Sequence, residues 1–132
     1  MKKGLESESL NELSHQVVSA AMEVHRQLGP GLAKHIYISC LCEELQKQGL
    51  KVQNDVRFPV RYENWRMDDA FQVSLLVEDA LLVEVKASNR VRPLHSAQLS
   101  TYLKLSGFCM GLLINFNVEV LRRGILRILN ES

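Results

Sequence analysis

Glu84 and Lys86 stand one residue apart inside an otherwise apolar run, LLVEVKA, residues 81–87. A carboxylate and an ammonium in such a run are costly to bury unless they are paired or used. Side chains on a strand alternate, so Leu82, Glu84 and Lys86 share one face, and Leu81, Val83, Val85 and Ala87 share the other. An earlier run, residues 73–77, is joined to this one by Glu78, Asp79 and Ala80. A three-residue hairpin loop sets Val77 against Leu81 and brings Ser74 directly opposite Glu84, whereas a two-residue turn would bring Val73 there. A helix then opens at Pro93, and on it Gln98 and Tyr102, four residues apart, project from one face. The three-residue loop thus brings a hydroxyl to the charged pair, and the helix that follows presents a carboxamide and a phenol together. The plain alternative for the charges alone is a structural ion pair at a strand end.

The elements that must hold these groups follow from pattern. S-x-x-E at Ser9 and Glu12 matches a capping box. From it Leu10, Leu13, Val17, Ala20, Ala21, Val24 and Leu28 recur at helical spacing and predict a first helix. Gly29, Pro30 and Gly31 end that helix, and a second carries Ile36, Tyr37, Cys40, Leu41 and Leu45 inward before stopping near Gly49. Residues 51–62 alternate as a strand, and Pro59 suggests a sheet edge. Glu63, Asn64 and Trp65 form the turn into a strand that starts around Asp68 and enters the hairpin. After the helix of residues 93–106, the run MGLLINF from Met110 suits a central strand buried on both faces, and residues 122–129 suit a last strand or a short helix. Helix, helix, three strands, helix, strand, strand gives an α/β fold with a mixed central β-sheet flanked by helices.

Composition narrows the function. A chain of 132 residues is expected to form one domain with one core, here residues 1–132. A formal charge of +1 points to no strongly acidic or basic partner, so any nucleic-acid surface must be local. Between Val85 and Val118 there is no acidic residue, while Lys86, Arg90, Arg92 and Lys104 are basic. Cys40, Cys42 and Cys109 make neither a disulfide framework nor a metal site and are expected to pack as small apolar groups in a reducing compartment. The N-terminus has no signal-like apolar stretch and no run spans a membrane, so a cytoplasmic location without membrane association is expected. His15 and His25 read as helix-face residues, not ligands.

The strand E-x-K of Glu84 and Lys86, followed by Q-L-x-x-Y at Gln98, Leu99 and Tyr102, resembles the PD-(D/E)XK nuclease superfamily with its restriction-endonuclease-like core. Four blocks in order, residues 28–37, 83–87, 95–102 and 111–116, are similar to the GxxExxY family, a small prokaryotic branch of that fold. Two positions depart from it. The glutamate of GxxExxY falls on Lys34, between Gly31 and Tyr37, and the strand aspartate falls on Ser74.

The resemblance implies phosphodiester hydrolysis by a divalent cation that is held on carboxylates, polarises the phosphoryl oxygen and activates water, with the lysine placing that water. Glu84, Lys86, Gln98 and Tyr102 are then the catalytic or vestigial set, and Lys34, Tyr37, Ser74, Arg90 and Arg92 the candidates to touch substrate. Glu84 is the one carboxylate retained, with the carbonyl of Val85 as the implied companion ligand, so no metal is expected. Mg²⁺ or Mn²⁺ belongs only to an active form. Lys34, Ser74, Glu84 and Lys86 together carry one positive charge, which repels a cation and suits a phosphate or carboxylate. The alternative is a Lys34–Glu84 salt bridge. Asp68, Asp69, Glu43 and Glu44 lie too far along their elements to replace a lost acid, and Glu23 stays open.

The leading expectation is therefore a nuclease-fold protein with a degenerate, inactive or nearly inactive site, kept as a nucleic-acid-binding or accessory module. The runner-up is an active metal-dependent nuclease on Glu84, Lys86 and a shifted acid. A protein-interaction subunit, using the sheet edge or the Trp65 loop, is the third. Sequence fixes neither oligomeric state nor partner.

Overall fold

The computed structural model describes residues 5–131. Its element order is α1 (Ser7–Leu28), α2 (Lys34–Lys47), β1 (Val52–Tyr62), β2 (Trp65–Val77), β3 (Leu81–Lys86), α3 (Pro93–Ser106), β4 (Met110–Asn115), a 3₁₀ turn (Leu121–Gly124) and β5 (Ile125–Leu129). One five-stranded sheet runs β1-β2-β3-β4-β5, antiparallel throughout except for the parallel β3–β4 pair. This is the expected mixed α/β sheet with flanking helices. Residues 122–129 combine both expectations, a short helical turn followed by a strand.

Two apolar layers enclose the sheet. On one face Leu81, Val83 and Val85 of β3 meet Val17, Ala21 and Val24 of α1 and Tyr37, Leu41 and Leu45 of α2. On the other face Leu82 joins Val73, Leu76 and Leu113 under Leu99 and Leu103 of α3. β3 is thus buried on both sides, which is why its residues read as a continuous apolar run broken only where charge is used. β4 is buried along its whole length.

Local expectations needed adjustment at four points. The first helix starts at Ser7 with Glu6 at its N-cap and no side-chain cap, so Ser9 lies inside the helix and not at a capping box. Every residue from Leu5 to Ser9 is exposed, and water can satisfy the free amides there. Leu28, placed on the buried stripe, is exposed at the last position of α1. In α2 the buried set is Tyr37, Leu41, Cys42 and Leu45, with Ile36 and Cys40 only half-buried; of the three cysteines Cys42 alone is buried, and none forms a disulfide among the described residues. Trp65 is not in the turn but opens β2, paired with Tyr62 across a two-residue turn, and is 55% exposed. No described helix is long and apolar enough to cross a membrane.

Candidate functional site

The β2–β3 hairpin has the three-residue connection. Val77 pairs with Leu81, Leu76 with Leu82 and Leu75 with Val83, so the next step sets Ser74 opposite Glu84. At that step the backbone ladder gives way to side chains. The Ser74 backbone N–H and its hydroxyl both donate to Glu84 Oε1, at 2.9 and 2.7 Å, and the Ser74 hydroxyl oxygen accepts the Val85 N–H at 3.1 Å. Glu84 is only 8% exposed, so these charge-assisted bonds replace the water it has lost. Its other oxygen, Oε2, pairs with Lys86 Nζ at 3.7 Å.

The far side of Ser74 is equally irregular. Asn54 pairs with Leu75 and Val56 with Val73, but the intervening Asp55 and Ser74 form no ladder pair, and Asp55 has φ +50°. That left-handed conformation is one an aspartate tolerates better than most residues. With the ladder interrupted on both sides of Ser74, a pocket of about 270 Å³ opens, lined by Lys34, Ile38, Asp55, Gln72, Ser74 and Glu84. Asp55 Oδ1 accepts a bond from Gln72 Nε2 at 2.8 Å. Lys34 enters as the first residue of α2, a helix with no acidic residue in its opening turn.

The remaining candidates lie outside the lining of this pocket. Tyr102 is half-buried, stacks on Phe71 at 4.3 Å, and has its phenol pushed upward by burial and then by the nearby negative charge of Glu84. Gln98 lies one turn earlier on α3 and is exposed. Arg90 and Arg92 are exposed on the connection between β3 and α3, outside the pocket lining; the Arg92 backbone N–H donates to His95 Nδ1 at 3.2 Å. Tyr37 is fully buried. Its ring stacks on Phe116 at 4.6 Å, and its hydroxyl donates to the Gly29 carbonyl and accepts from the Leu32 N–H. It therefore fixes the Gly29–Leu32 loop that leads to Lys34, instead of reaching the pocket.

Lys34 does not pair with Glu84: among the described residues, the ion pair of Glu84 is with Lys86. Glu23 is held by Arg26 and Gln27 on the outer face of α1, with its carboxyl lowered to about 2 by the Arg26 hydrogen bond first, and takes no part in the pocket. The acid that does enter is Asp55, which sequence reasoning missed. The charge count over Lys34, Asp55, Glu84 and Lys86 is thus zero, not the single positive charge expected without it.

A divalent cation can be tested against these donors. They are hard oxygens, as Mg²⁺ or Mn²⁺ requires. Yet Oε1 of Glu84 already receives two hydrogen bonds, Oε2 faces an ammonium, and a second ammonium lines the pocket. Among the described residues no three His, Cys, Asp or Glu side chains gather as ligands. The residues as they stand do not fit the ion.

No curated protein and no solved structure matched the chain. A family model of the PD-(D/E)XK nuclease superfamily does match, over residues 11–128, from α1 through β5, and the chain belongs to that superfamily.

Proposed function

We propose that this chain is a PD-(D/E)XK-fold module that binds nucleic acid through its phosphates and no longer performs metal-dependent cleavage. The observation that carries the reading is the occupation of Glu84: two donors from Ser74 and the ammonium of Lys86 stand where a metal and its water would need room. Lys34 in the same pocket, in place of a third acid, points the same way. A phosphate contact here would use Lys34, with Arg90 and Arg92 on the loop that follows β3, while Tyr102 on α3 is near enough to feel the charge of Glu84. The acid-free stretch from Lys86 to Asn117 lets those cations act on a polyanion without internal neutralisation. Within the superfamily, Gly31, Lys34 and Tyr37 support placement in the GxxExxY branch with its glutamate replaced.

Fluorescence anisotropy with labelled single- and double-stranded DNA and RNA tests the reading. Parallel gels with Mg²⁺ or Mn²⁺ test for cleavage. Binding should survive EDTA, weaken steeply with salt, and lose about one unit of log–log salt slope for each phosphate-contacting cation removed in Arg90→Ala or Arg92→Ala. Metal-dependent cutting that Glu84→Ala abolishes would overturn it. That outcome is the second reading, an active phosphodiesterase on Glu84 and Lys86 with a displaced acid, and the presence of Asp55 in the pocket is what favours it.

A further inference from the structure

The superfamily's usual metal and this pocket disagree, and the disagreement has a local cause. Two features bring Asp55 to Glu84. It lies across the β1–β2 ladder from Ser74, between the pairs Asn54–Leu75 and Val56–Val73, while Glu84 lies across from Ser74 on the other side. Its backbone, at φ +50°, breaks the ladder at that one step, and the side chain lines the same pocket as Glu84. Of its two oxygens, Oδ1 holds the Gln72 amide, and among the described residues Asp55 makes no ion pair within 4 Å.

We propose that Asp55 is the second carboxylate of this pocket, supplied from β1 in place of the acid missing at Ser74, and that Lys34, added to the engagement of Glu84 by Ser74 and Lys86, supplies the positive charge that tips the balance against a divalent cation. This rests on the reading above that the pocket takes no metal as it stands. Asp55 and Glu84 put two carboxylates on one small cavity, the number that an ion retaining several waters takes from protein. Two ammonium groups cancel the two carboxylates, so the cavity offers a cation no net attraction. Lys86 is engaged with Glu84. Lys34 is not in an ion pair among the described residues, and it stands at the first position of α2, where the helix dipole adds to its positive charge. Replacing it with a glutamate changes the pocket from neutral to two negative charges and leaves the core untouched, since Lys34 is exposed.

The test titrates Mn²⁺ and Mg²⁺ as simple salts into the full chain, by isothermal calorimetry and by thermal shift, with circular dichroism to verify folding. Lys34→Glu should bind Mn²⁺ at least tenfold tighter than the parent and show a saturable rise in melting temperature; Lys34→Gln should gain less. Lys34→Glu/Asp55→Asn and Lys34→Glu/Glu84→Gln should each return to the parent's level. Asparagine tolerates positive φ as aspartate does, so the Asp55 variant keeps its backbone. Lys34→Glu/Asp55→Asn binding as tightly as Lys34→Glu, or no gain in Lys34→Glu, would overturn the proposal. If the parent itself binds Mn²⁺, and Asp55→Asn weakens that binding while Lys34→Glu strengthens it, the role of Asp55 stands and the metal-free reading of the pocket falls.

Discussion

Ser74→Ala isolates the contact on which the pocket is built. The substitution removes the hydroxyl that donates to Glu84 Oε1 at 2.7 Å and accepts from the Val85 N–H at 3.1 Å. The backbone donor from Ser74 N–H to the same oxygen, at 2.9 Å, remains. A hydrogen bond to a charged group contributes about 1.5–3 kcal/mol, and a buried N–H left without a partner costs about 1–3 kcal/mol. Val85 is fully buried, so its amide bears most of that second penalty, whereas Glu84 borders the pocket and can take up water. The expected loss is therefore about 2–4 kcal/mol, below the sum of the two upper limits. At about 4 °C per kcal/mol for a domain of this size, the melting temperature should fall by about 8–16 °C. Urea unfolding should show a lower midpoint with an unchanged slope. Gln72→Ala, an exposed neighbour in the same pocket lining, serves as control and should change stability by under about 0.5 kcal/mol. A Ser74→Ala midpoint indistinguishable from the parent's would refute the idea that side chains replace the ladder at this step.

Three other outcomes follow from the same structure. Tyr37→Phe keeps the ring stacked on Phe116 but removes the bonds to Gly29 and Leu32, and should lower stability by about 1–3 kcal/mol in urea, with faster amide exchange confined to the Gly29–Leu32 loop. Gly124→Ala should be far more harmful than its small size suggests, about 3 kcal/mol or more, because the added carbon would sit 2.3 Å from the Asn115 carbonyl oxygen, a backbone atom at the end of β4 that cannot swing aside. The Cys42 thiol is pushed upward first by burial, so in the native protein it should be alkylated more slowly than Cys40 and Cys109 at pH 8, and all three should react alike in denaturant. The sign for stability is fixed as well: the folded state holds the proton more tightly, so the Cys42 contribution is full below the ordinary thiol range and is lost as pH rises through it.

Much of the architecture could be read from the chain because it depends on local periods. The 3.6-residue stripe of α1 and the apolar runs of β3 and β4 each record which sides are buried, whereas the expected parity of β1 does not hold throughout: Val52 packs in one layer and Val56 and Phe58 in the other, with the ladder broken at Asp55 between them. The opposition of Ser74 and Glu84 was legible for the same reason. A hairpin loop of three residues leaves one register, and parity does the rest. Burial of Tyr37 was legible, but its use was not, since the partners of its hydroxyl are backbone groups five and eight residues away in a loop that no period describes.

Asp55 shows where sequence stops. Counting back from the Tyr62–Trp65 turn at constant register would set Asp55 opposite Gln72. Between that turn and the Phe58–Phe71 pair, however, β1 advances four residues and β2 six, and the two extra residues slide Asp55 into line with Ser74. A shift of two preserves the alternation of faces, so it leaves no trace in the hydrophobic pattern. The sequence by itself determined the sheet, its layers and the Ser74–Glu84 pair, because near neighbours and periodic burial encode them. Only the tertiary structure decided that Asp55 and Lys34, from a different strand and a different helix, meet at that pair, because such meetings depend on how whole elements slide and pack.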